Sequence, residues 1–110
     1  MAKESKLTLK ENPTLRDFQK YVADMIEERG FEKETIPEIV MLLLEECGEM
    51  AKAIRKTQNI HTDNNSERFH LDHEVADVFM YLLDICNHFE IDLEKAFRDK
   101  EEVNKKRTWE

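Results

Sequence analysis

Two pairs of acidic residues lie inside the most apolar stretches of this 110-residue sequence. Glu46 and Glu49 form the first pair, and Glu74 and Asp77 form the second, with the same i, i+3 spacing in both. On a helix, side chains at this spacing lie on one face about 5 Å apart. If the two helices are neighbours, the four carboxylates converge on one region.

Clustered carboxylates in an apolar setting require protons, basic partners or a cation, because an isolated charge is unfavourable to bury. Too few basic residues lie in these stretches to pair every acid. Oxygen ligands without an accompanying Cys/His motif favour Mg²⁺ or Mn²⁺ over Zn²⁺. The pairs therefore predict a site for a hard divalent ion, with ordinary solvated charges on amphipathic helices as the alternative interpretation.

Several neighbouring residues have two interpretations. Gly48, between two of the acids, costs about 1 kcal/mol relative to alanine in mid-helix, and it permits either the approach of a ligand or a close helix crossing. Tyr81 follows Asp77 by four residues and shares its face, so its hydroxyl contacts a ligand or belongs to the core rim. Asp84 is interpreted as the polar end of that face. The histidines, interpreted as loop or surface residues, are His61, His70, His73 and His88.

The elements that must position the acids are helices. Few glycines, prolines and β-branched runs favour one all-α domain over residues 1–110, of the four-helix bundle type, with a polar tail over residues 1–12. Apolar periodicity and capping residues predict four helices, namely Thr14 to about Gly30, Thr35 to about Lys56, about Glu67 to Phe89, and a fourth that Asp92 caps. A polar loop over residues 57–66 precedes the third helix.

Composition also restricts the possible partners. A net charge of −8 argues against a nucleic-acid polymer but permits a nucleotide. The sequence predicts no signal peptide and no membrane span, hence a cytoplasmic location, in which Cys47 and Cys86 stay reduced. Because a small domain buries little surface and the second helix is apolar on several sides, we expect a homo-oligomer whose second copy completes the core.

Three motifs occur in a specific order: Glu45-Glu46-Cys47-Gly48-Glu49, then Glu74-Val75-Ala76-Asp77 with a following Tyr81, then Lys100-x-x-x-Asn104-x-x-Arg107. In this order they resemble the MazG-like nucleotide pyrophosphohydrolases, including the dCTP pyrophosphatases, of the all-α NTP pyrophosphatase superfamily. The resemblance extends from about Thr14 to Trp109. The phosphoribosyl-ATP pyrophosphohydrolases match less well, because their pattern lacks the Lys/Asn/Arg tail.

The resemblance implies roles for nine residues. The implied Mg²⁺ ligands are Glu46, Glu49, Glu74 and Asp77. The implied contacts with phosphate or sugar are Lys100, Asn104 and Arg107. Tyr81 matches a tyrosine that faces the substrate, and Phe31, after Glu28-Arg29, falls where dCTP-directed members place a base-stacking aromatic. Lys56 replaces their second base-side aromatic, so the resemblance does not identify the nucleotide base.

The implied reaction is hydrolysis of a (deoxy)nucleoside triphosphate to a monophosphate and pyrophosphate. Mg²⁺, with Mn²⁺ as a possible substitute, neutralises phosphate charge, while Glu46 or Glu49 orients or deprotonates a water. The alternative function is a non-catalytic nucleotide-binding or regulatory helical dimer. A redox di-metal protein is disfavoured, since neither acid pair has the Glu-x-x-His pattern. The predicted oligomer is a homodimer or a homotetramer.

Overall fold

The computed structural model describes residues 4–58 and 70–109. These residues form four α-helices and no strand, which confirms the all-α prediction. Their bounds are α1 Leu15–Glu28, α2 Ile36–Thr57, α3 Leu71–His88 and α4 Leu93–Lys105. Most of the predicted loop over residues 57–66, the predicted helix start at Glu67 and His61 lie outside the described residues. Within the described ranges, none of the helices has the length and apolarity that a membrane span requires.

Side-chain caps explain where three of these helices begin. Thr14 accepts a hydrogen bond from the Asp17 amide at 3.2 Å, and the Asp17 carboxylate accepts one from the Thr14 amide at 2.9 Å. Thr35 caps α2 through the amide of Glu38, and Asp92 caps α4 through the amide of Lys95. Because each cap satisfies an amide that has no partner within the helix, the starts predicted from these residues are confirmed.

Helices α1 and α3 end in the same backbone motif. After α1, Gly30 adopts a φ of 76° and the Phe31 amide donates to the Ile26 carbonyl at 2.9 Å. After α3, Glu90 adopts a φ of 53° and the Ile91 amide donates to the Cys86 carbonyl at 2.8 Å. Both ends are Schellman motifs, which favour glycine at the left-handed position.

The described residues cluster into two compact units. Unit 1 comprises residues 4–33 and 83–109, which contain α1, the end of α3 and α4. Unit 2 comprises residues 34–58 and 70–82, which contain α2 and the larger part of α3. The single-domain organisation of residues 1–110 stays a prediction.

In unit 1, α1 packs against α4 and a small core forms around Val22, Met25, Leu83 and Cys86. In unit 2 the buried apolar side chains are Ile39, which is 1% exposed, and Ala53. Both cysteines are free, Cys47 half-buried and Cys86 buried. Among the described residues, the buried apolar core of unit 2 is therefore small.

Candidate metal centre

Unit 2 brings together three of the four acids that the sequence singles out. Glu46 lies on α2, and Glu74 and Asp77 lie on α3, all three half-buried. One carboxylate oxygen from each lies within 4.8 Å of those of the other two. The i, i+3 spacing places Glu74 and Asp77 on one face of α3, and the third carboxylate comes from the neighbouring helix.

The three carboxylates repel one another. Partial burial raises the pKa of Glu46, and the charges of Asp77, Glu74, Glu45 and Glu49 raise it further. Among the described basic side chains, none forms an ion pair with Glu46, Glu74 or Asp77. An all-oxygen set of this kind suits a hard divalent cation, whose charge would relieve the repulsion.

Glu49 lies at the edge of this cluster. Its side chain is exposed one turn after Glu46, and it does not belong to the group of three carboxylates within 4.8 Å. It nevertheless contributes to the raised pKa of Glu46, as does the exposed Glu45. The role of Glu49 as a metal ligand stays a prediction. Because its side chain is exposed, it is also free to contact a water molecule at the edge of the three-carboxylate cluster.

Tyr81 and Gly48 complete the surroundings within unit 2. The pKa of the half-buried Tyr81 is raised, first by burial and then by Glu34, Glu46 and Asp77 in this order. Its hydroxyl therefore experiences the negative field of the cluster. A Cβ atom added to the exposed Gly48 would meet no neighbouring atom within 4 Å. Among the described residues, this open space favours ligand approach over a close helix crossing at this glycine.

The remaining predicted site residues belong to unit 1. Phe31 follows the end of α1 and is 46% exposed. Lys100 is exposed on α4, and Asn104 lies in its last turn with a buried side-chain oxygen, Oδ1, that has no hydrogen-bond partner among the described residues. Arg107 lies beyond the end of α4, and its guanidinium stacks on the Trp109 ring at 5.0 Å from the centroid.

This position corrects one expectation. The spacing of Lys100, Asn104 and Arg107 predicts that all three project from one helical face. Because α4 ends at Lys105 with Lys106 as its C-cap, helical periodicity does not extend to Arg107. Its guanidinium instead lies over the Trp109 ring, a contact that sequence periodicity does not reveal.

The start of α3 holds a second group of potential ligands, which was not predicted from the sequence. His70, Asp72 and His73 are exposed at the start of α3, and one ligand atom from each lies within 4.8 Å of the others. The signal available in the sequence was the i, i+3 spacing of the two histidines, which the interpretation as separate surface residues did not use.

Comparison with known proteins adds independent information about the chain. The family model for the MazG nucleotide pyrophosphohydrolase domain matches residues 34–108, which is most of the chain. No curated protein shows significant similarity to the sequence. The matched range includes the three clustered carboxylates and α4.

Proposed function

This chain belongs to the MazG nucleotide pyrophosphohydrolase family, and we propose that it hydrolyses (deoxy)nucleoside triphosphates to monophosphate and pyrophosphate with Mg²⁺. Membership makes it an all-α hydrolase with nucleotide pyrophosphohydrolase activity. The observation that carries the finer proposal is the convergence of the carboxylates of Glu46, Glu74 and Asp77 within 4.8 Å.

The three carboxylates would hold Mg²⁺, or Mn²⁺ in its place, with Glu49 as a further ligand. When bound by these residues, the ion would neutralise charge on the phosphate oxygens and make the α-phosphorus more electrophilic. Glu46 or Glu49 orients the attacking water and accepts its proton. Since the water attacks the α-phosphorus, pyrophosphate leaves as one group and no covalent enzyme intermediate is needed.

Cationic, amide and aromatic side chains would bind the nucleotide. A triphosphate carries more negative charge than the metal alone neutralises, which gives the exposed cations of Lys100 and Arg107 a role. Asn104 can donate to or accept from phosphate or sugar. We assign Tyr81 and Phe31 to the base side, and the base and sugar preferences stay open.

We also propose a homodimer or homotetramer. Several large apolar side chains of α2 are exposed, including Met41 at 69% and Leu44 at 64%. A second copy that covers them would bury apolar area which a lone chain leaves in water. Light scattering checks this proposal against the chain mass of 13.2 kDa, and a monomer at micromolar concentration would refute it.

A panel of ribonucleoside and deoxyribonucleoside triphosphates with excess Mg²⁺ tests the proposed reaction. The expected products are a monophosphate and pyrophosphate, quantified without added pyrophosphatase. Orthophosphate with a diphosphate would instead identify triphosphatase chemistry. Saturable binding of nucleotides without turnover, by protein loaded with Mg²⁺ or Mn²⁺, would support the non-catalytic alternative. EDTA provides the control for metal dependence.

A further inference from the structure

The start of α3 presents two imidazoles and a carboxylate that the proposed hydrolysis does not use. The rings of His70 and His73 lie 4.7 Å apart between centroids, tilted by 31°. One ligand atom from each ring and one from Asp72 lie within 4.8 Å of one another. All three residues are exposed, so a dissolved ion reaches them without rearrangement of the core.

The backbone holds the two histidines at a fixed spacing. The amides of His73 and Glu74 donate to the His70 carbonyl at 3.1 and 3.2 Å, so His70 begins the first turn of the helix. Tetrahedral zinc with ligand distances near 2.0–2.1 Å requires ligand atoms about 3.3 Å apart. Exposed side chains reach that separation by rotation about their side-chain dihedral angles, since several staggered rotamers are accessible at a surface.

We propose that His70, Asp72 and His73 form a site for a borderline transition-metal ion, with Zn²⁺ as its occupant. Imidazole nitrogen favours Zn²⁺, whereas Mg²⁺ prefers oxygen ligands, so this site and the acidic cluster select different ions. Three protein ligands leave a fourth position for water or an anion.

Charge at the helix start also favours a cation. A helix N-terminus carries partial positive charge, which by itself opposes a cation. In the first turn of α3, Asp72 and Glu74 supply two negative charges that offset it. The alternative is a pair of solvated histidines that share a helical face without an ion, and the following titration distinguishes the two.

Isothermal titration of ZnCl₂ into the untagged protein, in excess MgCl₂ to keep the acidic cluster filled, tests the proposal. We expect one Zn²⁺ per chain in the wild type. His70→Ala and His73→Ala should each weaken Zn²⁺ affinity at least tenfold, about 1.4 kcal/mol. His88→Ala, which removes a histidine from the other end of α3, is the matched control and should bind Zn²⁺ as the wild type does.

A second set of variants tests whether this site is distinct from the acidic cluster. Glu46→Gln should bind Zn²⁺ with wild-type affinity, while the His70→Ala/His73→Ala double variant should keep its Mg²⁺-dependent release of pyrophosphate within about twofold of wild type. Absence of saturable Zn²⁺ binding, or wild-type affinity in the double variant, would overturn the proposal. Loss of Zn²⁺ binding in Glu46→Gln alone would also overturn it, by placing the ion in the acidic cluster.

Discussion

In unit 1 the side-chain amide of Gln19 donates to the Asn87 side chain at 3.2 Å and to the Ile91 carbonyl at 2.8 Å. Its oxygen also accepts from the Leu93 amide at 3.0 Å. In unit 2, by contrast, the carboxylates of Glu46 and its neighbours converge without an ion pair to any described basic side chain. One unit places complementary polar groups together, and the other places like charges together.

This difference separates polar groups that stabilise the protein from polar groups held for a ligand. A hydrogen-bonded amide between helices contributes to stability, and its loss leaves partly buried partners without that bond. Like charges in a partly buried cluster oppose folding until a proton or a cation neutralises them. Substitutions in unit 2 should therefore change activity, and those in the Gln19 network should change stability.

The largest expected effect is on activity. Glu46→Gln, Glu74→Gln and Asp77→Asn should each lower kcat/KM for triphosphate hydrolysis at least about a hundredfold, or 2.7 kcal/mol, because each removes a charged ligand from one cluster. In EDTA the same variants should melt at the wild-type temperature or above, since repulsion is relieved.

Pyrophosphate release with Mg²⁺ and thermal melts in EDTA measure these two effects. Glu27→Gln, which neutralises an exposed acid of α1, is the control and should retain wild-type activity. Wild-type turnover in two of the three cluster variants would contradict the expectation that the polar groups of unit 2 are held for a ligand. Melting temperatures several degrees below the wild-type value in all three variants would contradict it as well.

Gln19→Ala should produce the largest loss of stability, about 2 kcal/mol in the free energy of unfolding. The truncation leaves the Ile91 carbonyl and the Leu93 amide without their side-chain partner. Urea unfolding measures the loss. Arg16→Ala is the matched control, because its 2.8 Å ion pair with Asp92 involves an arginine side chain that is 82% exposed, and we expect a much smaller loss of stability than in Gln19→Ala. Equal losses in the two variants would contradict the role of the network.

Asn104 is an exception within unit 1, since its buried Oδ1 atom has no hydrogen-bond partner in the described part of the chain. If this side chain contacts the nucleotide, Asn104→Ala should lower kcat/KM about tenfold, or 1.4 kcal/mol, with little change in melting temperature. Steady-state kinetics and a melt provide both values, with Lys105→Ala as the neighbouring control. Unchanged kinetics would assign Asn104 a structural role.

Asp84 is the second exception, and it is only 4% exposed. Burial raises its pKa, and His88, whose Nε2 lies 3.4 Å from Oδ1, partly opposes that shift. A carboxyl whose pKa is higher in the folded state binds its proton more tightly there, so the free energy of unfolding falls as pH rises above the unfolded value, about 3.9.

Asp84→Asn should therefore stabilise the protein at pH 8 by about 1 kcal/mol and flatten this decline. Unfolding in urea across a pH series tests the expectation, and pyrophosphate release should stay at the wild-type level. A variant less stable than wild type at alkaline pH would show that the Asp84 charge contributes favourably.

The smallest expected effect concerns the two Schellman ends of unit 1. Gly30 occupies the left-handed position after α1, whereas Glu90 occupies it after α3 with a φ of 53°. Glu90→Gly should add about 0.5–1 kcal/mol to the free energy of unfolding, because a side chain is strained in this region. Gly30→Ala should instead lower the free energy of unfolding in the same urea experiment. A Glu90→Gly variant that is less stable than the wild type would contradict this expectation.

Much of the fold could be predicted from the sequence, because its causes are local. Thr14, Thr35 and Asp92 each satisfy a nearby amide, so they predict helix starts whatever the chain packs against. The i, i+3 spacing likewise places Glu74 and Asp77 on one face of a single helix. The acidic pairs and the all-α fold can therefore be predicted from the sequence alone.

Only the tertiary structure decided which side chains meet and which are buried. Periodicity treats Glu46 and Glu49 alike, yet Glu46 joins the cluster and Glu49 is exposed at its edge. It marks Asp84 as a polar end of a face, although packing buries it. Periodicity fixes the direction of a side chain around its own helix axis, whereas distances and burial depend on how helices rotate and pack against their neighbours.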